Sequence, residues 1–331
     1  MASSASERKR VARSYRRDED DAQPIKSAVN AWIAAAAAQA HQQRSFAAAS
    51  SATSGGTAGQ QLQQPAATWA LVLETRHLLT LRALRSSETG VDDATTVVPN
   101  PDGEELAAIG AAAPAVLGLP LSSHALFAAL AVEQSPERAE LGRRGWAGGF
   151  GVVWLDYCGT FGGAARAGRQ RQQDLENLFK QRLLTAPLAV LAVTFTTRGA
   201  TELYHGELTE YLVLLTEGYA LRYGMLAELL GVVSYHNHTA TGRAPKGQPT
   251  MHTVLFAVSD GAGDSNRLLV PDPPTNCTGL LHVRGDALRA RIRSRGRSWR
   301  GSSNGQTAIT GADPVATPQD TPLWAAVEWS A

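Results

Sequence analysis

Cysteine is nearly absent: Cys158 and Cys277 are the only 2 in 331 residues, too few for a disulfide scaffold. Long hydrophobic runs are missing as well. Although 44% of the residues are hydrophobic, no stretch approaches the roughly 18 consecutive apolar residues that a membrane-crossing helix needs. Net charge is also lacking, since 31 Lys and Arg against 30 Asp and Glu leave a formal +1, which excludes a binder of polyanions or membranes acting through bulk charge. The first residues run from basic to acidic without the apolar centre of a signal peptide. These absences predict a protein of a reducing, intracellular setting, cytoplasmic or nuclear, with no membrane partner.

Large apolar residues are scarce between Met1 and Ala67, where Ala, Ser, Gln and Gly dominate. Such a composition buries too little surface to offset chain entropy, so residues 1–67 are expected to be a disordered arm with at most a short helix from Trp32 to Ala40. Order is expected over 68–260. Past Asp260, Pro271, Pro273, Pro274 and many Gly, Ser and Thr predict a loosely structured, basic region over 261–331.

Within 68–260 short apolar runs end in polar or turn residues, the pattern of buried parallel strands. They are Trp69 to Leu73 ending at Glu74, Thr95 to Val98 ending at Pro99-Asn100, Ala115 to Leu119 ending at Pro120, Phe150 to Leu155 ending at Asp156, and Pro187 to Phe195. Helix-compatible segments separate them: His77 to Ser86, Asp102 to Ile109, Ser122 to Glu133 and Gln170 to Leu184. Alternation of this kind implies right-handed crossovers and a sheet covered on both faces. A long helical stretch, about Thr201 to Leu229, precedes two strands, Gly231 to Tyr235 and Met251 to Val258, joined without a helix and so read as an antiparallel pair. The fold class is α/β: a doubly wound, mostly parallel seven-stranded sheet with an antiparallel C-terminal hairpin.

Five βα units, a helix and a terminal hairpin resemble the Rossmann-like class I S-adenosylmethionine-dependent methyltransferases over roughly Trp69 to Ser259. The resemblance implies a cofactor, S-adenosylmethionine, over the carboxyl ends of the first strands, where an open sheet leaves a crevice. It assigns Glu74 and Thr75 to the cofactor at the end of the first strand, Asn100 to the ribose at the end of the second, and Ser122 beside the adenine after the third. The segment Thr75-Arg76-His77-Leu78-Leu79-Thr80 contains no glycine where the family carries a glycine-rich turn. In amino-methylating members the fourth strand ends in an acid or amide followed by an aromatic, which Asp156-Tyr157 resembles without the prolines. Asp156 would orient a target N–H and Tyr157 would stack on the target base.

Other groupings have plainer readings. Cys158 suits a buried thiol better than a nucleophile, and His236, His238 and His252 suit ordinary loop histidines better than a metal site, so no metal is expected. Gly142, Gly145, Gly148, Gly149 and Gly151 precede a strand instead of following one, which makes them a flexible connector and not a phosphate cradle. Arg284, Arg289, Arg291, Arg293, Arg295, Arg297 and Arg300, with Trp299, form a basic stretch that could track nucleic-acid phosphates. The sequence leaves two functions open: a methyltransferase, with nucleic acid as one candidate acceptor, or a methyltransferase-like scaffold that has lost the cofactor and serves as a nucleic-acid or protein interaction module.

Overall fold

A computed structural model describes residues 23–53, 67–86, 88–157, 166–185, 187–197, 205–235, 251–260 and 280–302, with Phe161 and Leu268. The elements are α1 (Gln23–Thr53), β1 (Ala70–Val72), α2 (Leu79–Leu84), β2 (Thr96–Pro99), α3 (Gly103–Ala112), β3 (Leu117–Leu119), α4 (Ser123–Leu130), α5 (Pro136–Arg143), β4 (Val152–Asp156) and α6 (Arg166–Lys180), then β5 (Leu188–Thr196), α7 (His205–Arg222), β6 (Leu226–Tyr235), β7 (Met251–Ser259), β8 (Leu280–Arg284) and α8 (Gly285–Ser302).

One 8-stranded sheet runs in the order β3-β2-β1-β4-β5-β7-β6-β8. Strands β1 to β5 pair in parallel, and β7 lies antiparallel between β5 and β6. The expected α/β class and its terminal hairpin are therefore present. An eighth strand, absent from the sequence reading, pairs antiparallel with β6 from Gly231 opposite Arg284 to Tyr235 opposite Leu280.

Alternation along each strand sends side chains to two separate cores. On one face Leu71, Val153, Leu155 and Leu191 meet Leu126 and Phe127 of α4, Leu175 and Phe179 of α6, Leu212 of α7 and Leu288 of α8. On the other, Ala70, Val72, Val152, Trp154 and Val190 meet Leu81 and Leu84 of α2, Ile109 of α3 and the length of α1.

Over residues 23–53, helix α1 corrects the expectation of a disordered arm. Its residues Ile25, Val29, Trp32, Ile33, Ala36, Ala37 and Ala40 are buried, a three-and-four spacing that forms one continuous stripe. Small alanines there let the helix lie close on the sheet. Beyond the stripe, Arg44 donates to the Leu188 carbonyl at 2.6 Å and to Thr68 Oγ1 at 2.9 Å, fastening α1 to the starts of β1 and β5. Residues 1–22 and 54–66 lie outside the described residues.

The expectation of a loosely structured region is corrected in the same way over residues 280–302, which form β8 and α8. Helix α8 docks by burying Leu288, and Gly285 lies so close to β6 that a Cβ there would be 2.0 Å from the Leu229 carbonyl oxygen. The long helix expected to reach Leu229 stops at Arg222, because Gly224 takes a left-handed φ of +71° and the chain turns into β6. The glycine-bearing connector before β4 also holds α5, started by Ser135, whose hydroxyl accepts from Arg138 N, and by Pro136 in the first turn.

Candidate active site

Glu74, Asn100, Ser122 and Asp156 stand at the carboxyl ends of β1, β2, β3 and β4, on one edge of the sheet. Adjacent pairing of β1 with β4 brings Glu74 near enough to Asp156 that the second charge disfavours ionisation of the first. Burial dominates. Glu74 is 7% exposed, and its carboxyl is pushed up to about 7, although the Leu81 and Thr75 N–H groups each donate to it at 3.0 Å and favour the charged form.

Both oxygens of Glu74 therefore hold its own turn. That turn has no glycine; the left-handed position falls to Leu78, with φ 52°, just before α2. A non-glycine residue there is uncommon, and the burial of Leu78 against the α1 side of the sheet compensates. Arg76 closes the turn onto the first turn of α3: its backbone N–H donates to Glu105 Oε2 at 2.9 Å and its Nε to Oε1 at 2.7 Å.

Asn100 is partly committed. Its Nδ2 donates to the Glu74 carbonyl at 3.3 Å, and its Oδ1 accepts from Asp102 N at 2.9 Å. Asp102 in turn caps α3 by accepting from Glu104 N and Glu105 N. Ser122 caps α4, accepting from Ala125 N at 3.2 Å, which leaves its own hydroxyl hydrogen to donate elsewhere. Thr75 lies on the turn beside Glu74.

Tyr157 does not offer its ring at the surface. It is 6% exposed, and its hydroxyl donates to Asp174 Oδ2 at 2.9 Å. The same oxygen accepts from Ser123 Oγ at 2.7 Å, while Asp174 Oδ1 lies 2.9 Å from His124 Nδ1. Arg171 sits over the Tyr157 ring at 5.4 Å. Burial raises the pKa of Asp174 against the three hydrogen bonds that lower it, and burial beside Asp174 pushes the Tyr157 phenol well above its usual value. A buried carboxylate thus gathers a tyrosine, a serine and a histidine from β4 and α4.

This cluster was not read from sequence. A helix read from Gln170 to Leu184 puts Asp174 in its first turns, where an acid suits the helix dipole. Because α6 starts at Arg166, Asp174 lies mid-helix on the same face as Leu178, four residues on, and an acid on an apolar stripe was the available signal.

The remaining candidates are dispersed. His252 stacks on Phe195, centroids 5.3 Å apart, and its Nδ1 lies 2.8 Å from Ser234 Oγ; His236, His238 and Cys158 lie outside the described residues. Within the basic stretch, Arg289 donates to Glu217 Oε1 at 2.7 Å and Arg291 lies 3.2 Å from Glu210, so both fasten α8 to α7. Arg284 stands 3.9 Å from Asp286, Arg293 is exposed, and the side chains of Arg295, Arg297 and Arg300 lie outside the described residues. No helix among the described residues is long and apolar enough to cross a membrane.

The parallel strands with alternating helices, followed by a helix and an antiparallel hairpin, give the chain an open, doubly wound α/β fold. Among solved structures, the plantazolicin methyltransferase BamL, in complex with a triazolic desmethylPZN analog and SAH, is similar over 75% of this chain and 89% of its own, at 6% identity and a TM-score of 0.41. A putative methyltransferase from Thermoplasma acidophilum is similar over 60% of this chain and 70% of its own (11% identity, TM-score 0.33). A TehB-like SAM-dependent methyltransferase from Corynebacterium glutamicum is similar over 65% of this chain and 98% of its own (16% identity, TM-score 0.31). At these values the likenesses add nothing to what the sheet order states. No protein-family model and no curated protein matches the chain.

Proposed function

We propose that the protein is an S-adenosylmethionine-dependent methyltransferase whose cofactor lies over the carboxyl ends of β1 and β2. The observation that supports this is the convergence of Glu74, Asn100, Ser122 and Asp156 on one edge of a sheet of this order. The nucleoside half of the cofactor fits the residues present. Asn100 keeps one amide hydrogen and one carbonyl lone pair beyond its two bonds, a donor and acceptor suited to ribose hydroxyls, and Ser122 keeps a donor for the base. Thr75 and the buried Glu74 shape the turn beneath. Bound there, the cofactor would supply a methyl group activated on a positively charged sulfur. Asp156, at the end of the neighbouring strand, would orient the acceptor toward it. The family's glycine-rich turn is replaced by one built on Leu78, and the cofactor would have to approach that backbone.

Calorimetric titration of the full chain with S-adenosylmethionine and S-adenosylhomocysteine tests the proposal. Micromolar binding is expected, weakened by Asn100→Ala. Absence of binding would overturn it.

One observation favours a second reading. Each Glu74 oxygen accepts a hydrogen bond from its own turn, and Arg76 locks that turn to Glu105, an arrangement that holds together without a ligand. A scaffold of this kind would act as an interaction module, and the exposed Arg293 on α8 would then belong to a nucleic-acid contact.

A further inference from the structure

We propose that the outer face of α1 is a homodimer interface, along which two copies of this chain pair antiparallel about a twofold axis beside Ala38. The inference does not depend on the methyltransferase reading. Two cavities run end to end along α1. The first, of about 580 Å³, lies between the N-terminal half of the helix and α2, with Ser27, Ala31, Ala34, Leu79 and Ala83 in its walls. The second, of about 560 Å³, continues past Ala38 along Gln42, Ser45, Phe46 and Ala49. Both include Ala38 and Glu88, so they form one groove that follows α1 from Ser27 to Ala49, about 33 Å of helix.

Asn30 shows that the groove is incomplete as it stands. It is only 5% exposed, it lines the first cavity, and its side-chain amide makes no hydrogen bond among the described residues. A buried amide without a partner is costly, and a polar group entering the groove would satisfy it. Phe46 is a second sign. It is 65% exposed, a large aromatic side chain on a helix face made otherwise of alanine, serine and glutamine. Charge is missing from this face as well. Between Lys26 and Thr53 the only Lys, Arg, Asp or Glu is Arg44, whose guanidinium is turned inward to Leu188 and Thr68, whereas a helix face kept in water ordinarily carries charged residues.

The spacing of these features selects a second copy as the occupant. In an antiparallel pair centred on Ala38, residues equidistant from it come level: Ala34 with Gln42, Ala31 with Ser45, Asn30 with Phe46, and Ser27 with Ala49. Phe46 of each copy then lies over Ala31 and Ala35 of the other, where side chains end at Cβ, and the small residues let the two helix axes approach closely. Ser45 of each copy comes beside Asn30 of the other. The Ser45 hydroxyl donates to the His41 carbonyl at 2.9 Å and keeps lone pairs that accept from the Asn30 amide. At the rim, Arg82 and Glu88 have no charged partner among the described residues, and the twofold offers each the opposite charge of the other copy. An uncharged stripe that meets itself brings no like charges together.

Sedimentation equilibrium of the full chain at micromolar concentrations tests the proposal. Wild type is expected to be a dimer. Ala38→Arg, which sets two cations against each other at the axis, and Phe46→Glu should each weaken dimerisation about 100-fold or more while keeping the helix content of wild type. Leu281→Lys, on the exposed edge strand β8, should leave the dimer intact. A short bismaleimide reads the register in a Cys158→Ser, Cys277→Ser background. There Ala38→Cys should cross-link to itself, whereas Ala31→Cys and Ser45→Cys should cross-link only when mixed. The near-silent Ala38→Cys decides the matter should Ala38→Arg fail to fold. A wild-type monomer, a dimer untouched by Ala38→Arg, a dimer dispersed by Leu281→Lys alone, or Ala31→Cys chains that join one another would each overturn the inference.

Discussion

The Tyr157 hydroxyl and Asp174 Oδ2 meet at 2.9 Å inside the core, so the aromatic residue that follows β4 is anchored by its polar end. Removing the hydroxyl alone therefore has a cost that a surface ring would not show. Tyr157→Phe should lower stability by about 1.5–3 kcal/mol, the range for hydrogen bonds to charged groups, measured as a lower midpoint in urea at unchanged slope. An unaltered midpoint would return Tyr157 to the surface.

Glu74 should make stability fall as pH rises. Its pKa is 4.5 in the open chain and about 7 in the fold, so between those values the folded state holds a proton that the unfolded state has released. The unfolded state binds fewer protons, and the slope of stability against pH is negative there. The penalty is complete above about pH 7 and amounts to about 3 kcal/mol. Asp174 is shifted in the same direction and adds to the trend. Denaturation at pH 5 and pH 8 should show the loss, and Glu74→Gln should show a smaller one.

Trp32 tests whether α1 belongs to the domain. Its indole is 3% exposed and meets the His282 ring of β8 edge-on, centroids 5.6 Å apart. Trp32→Ala should cost about 3–5 kcal/mol, seen as a depressed melting temperature. A helix merely resting on the surface would tolerate the change.

The arginines of α8 should separate by role. Arg289 and Arg291 are paired with Glu217 and Glu210, whereas Arg293 is exposed. If the helix contacts single-stranded nucleic acid, Arg293→Ala should flatten the slope of log affinity against log salt by about 0.7, and Arg289→Ala should leave that slope nearly unchanged. Equal effects from both would show that the ion pairs open on binding.

Legibility followed the strength of the apolar signal. Strands such as Leu188–Thr196, buried along their whole length, announce themselves as apolar runs, and the polar residues that close them mark the carboxyl edge. Helix α1 was hidden because alanine counts little toward an apolar face, although Ala36, Ala37 and Ala40 complete the stripe begun by Ile25 and Trp32. Strand β8 is short and lies at the sheet edge, so Leu280–Arg284 shows neither a long run nor a strict alternation. In the candidate site, Glu74, Asn100 and Asp156 were visible as strand ends. The Asp174 cluster was not, because it depends on how α4 and α6 face one another, and one sequence holds no record of that.

The placement of α1 also sets an order of events during synthesis. The helix emerges from the ribosome early, yet the surface that receives Trp32 is built by Gly231 and His282, far later in the chain. The rest of the stripe can meet α2, β1 and β5 sooner, but the seat of Trp32 is incomplete until β6 and β8 exist, and closing so distant a contact is slow. Docking of α1 is therefore completed only by the last strand of the sheet, which ties the two ends of the described chain into one closing step.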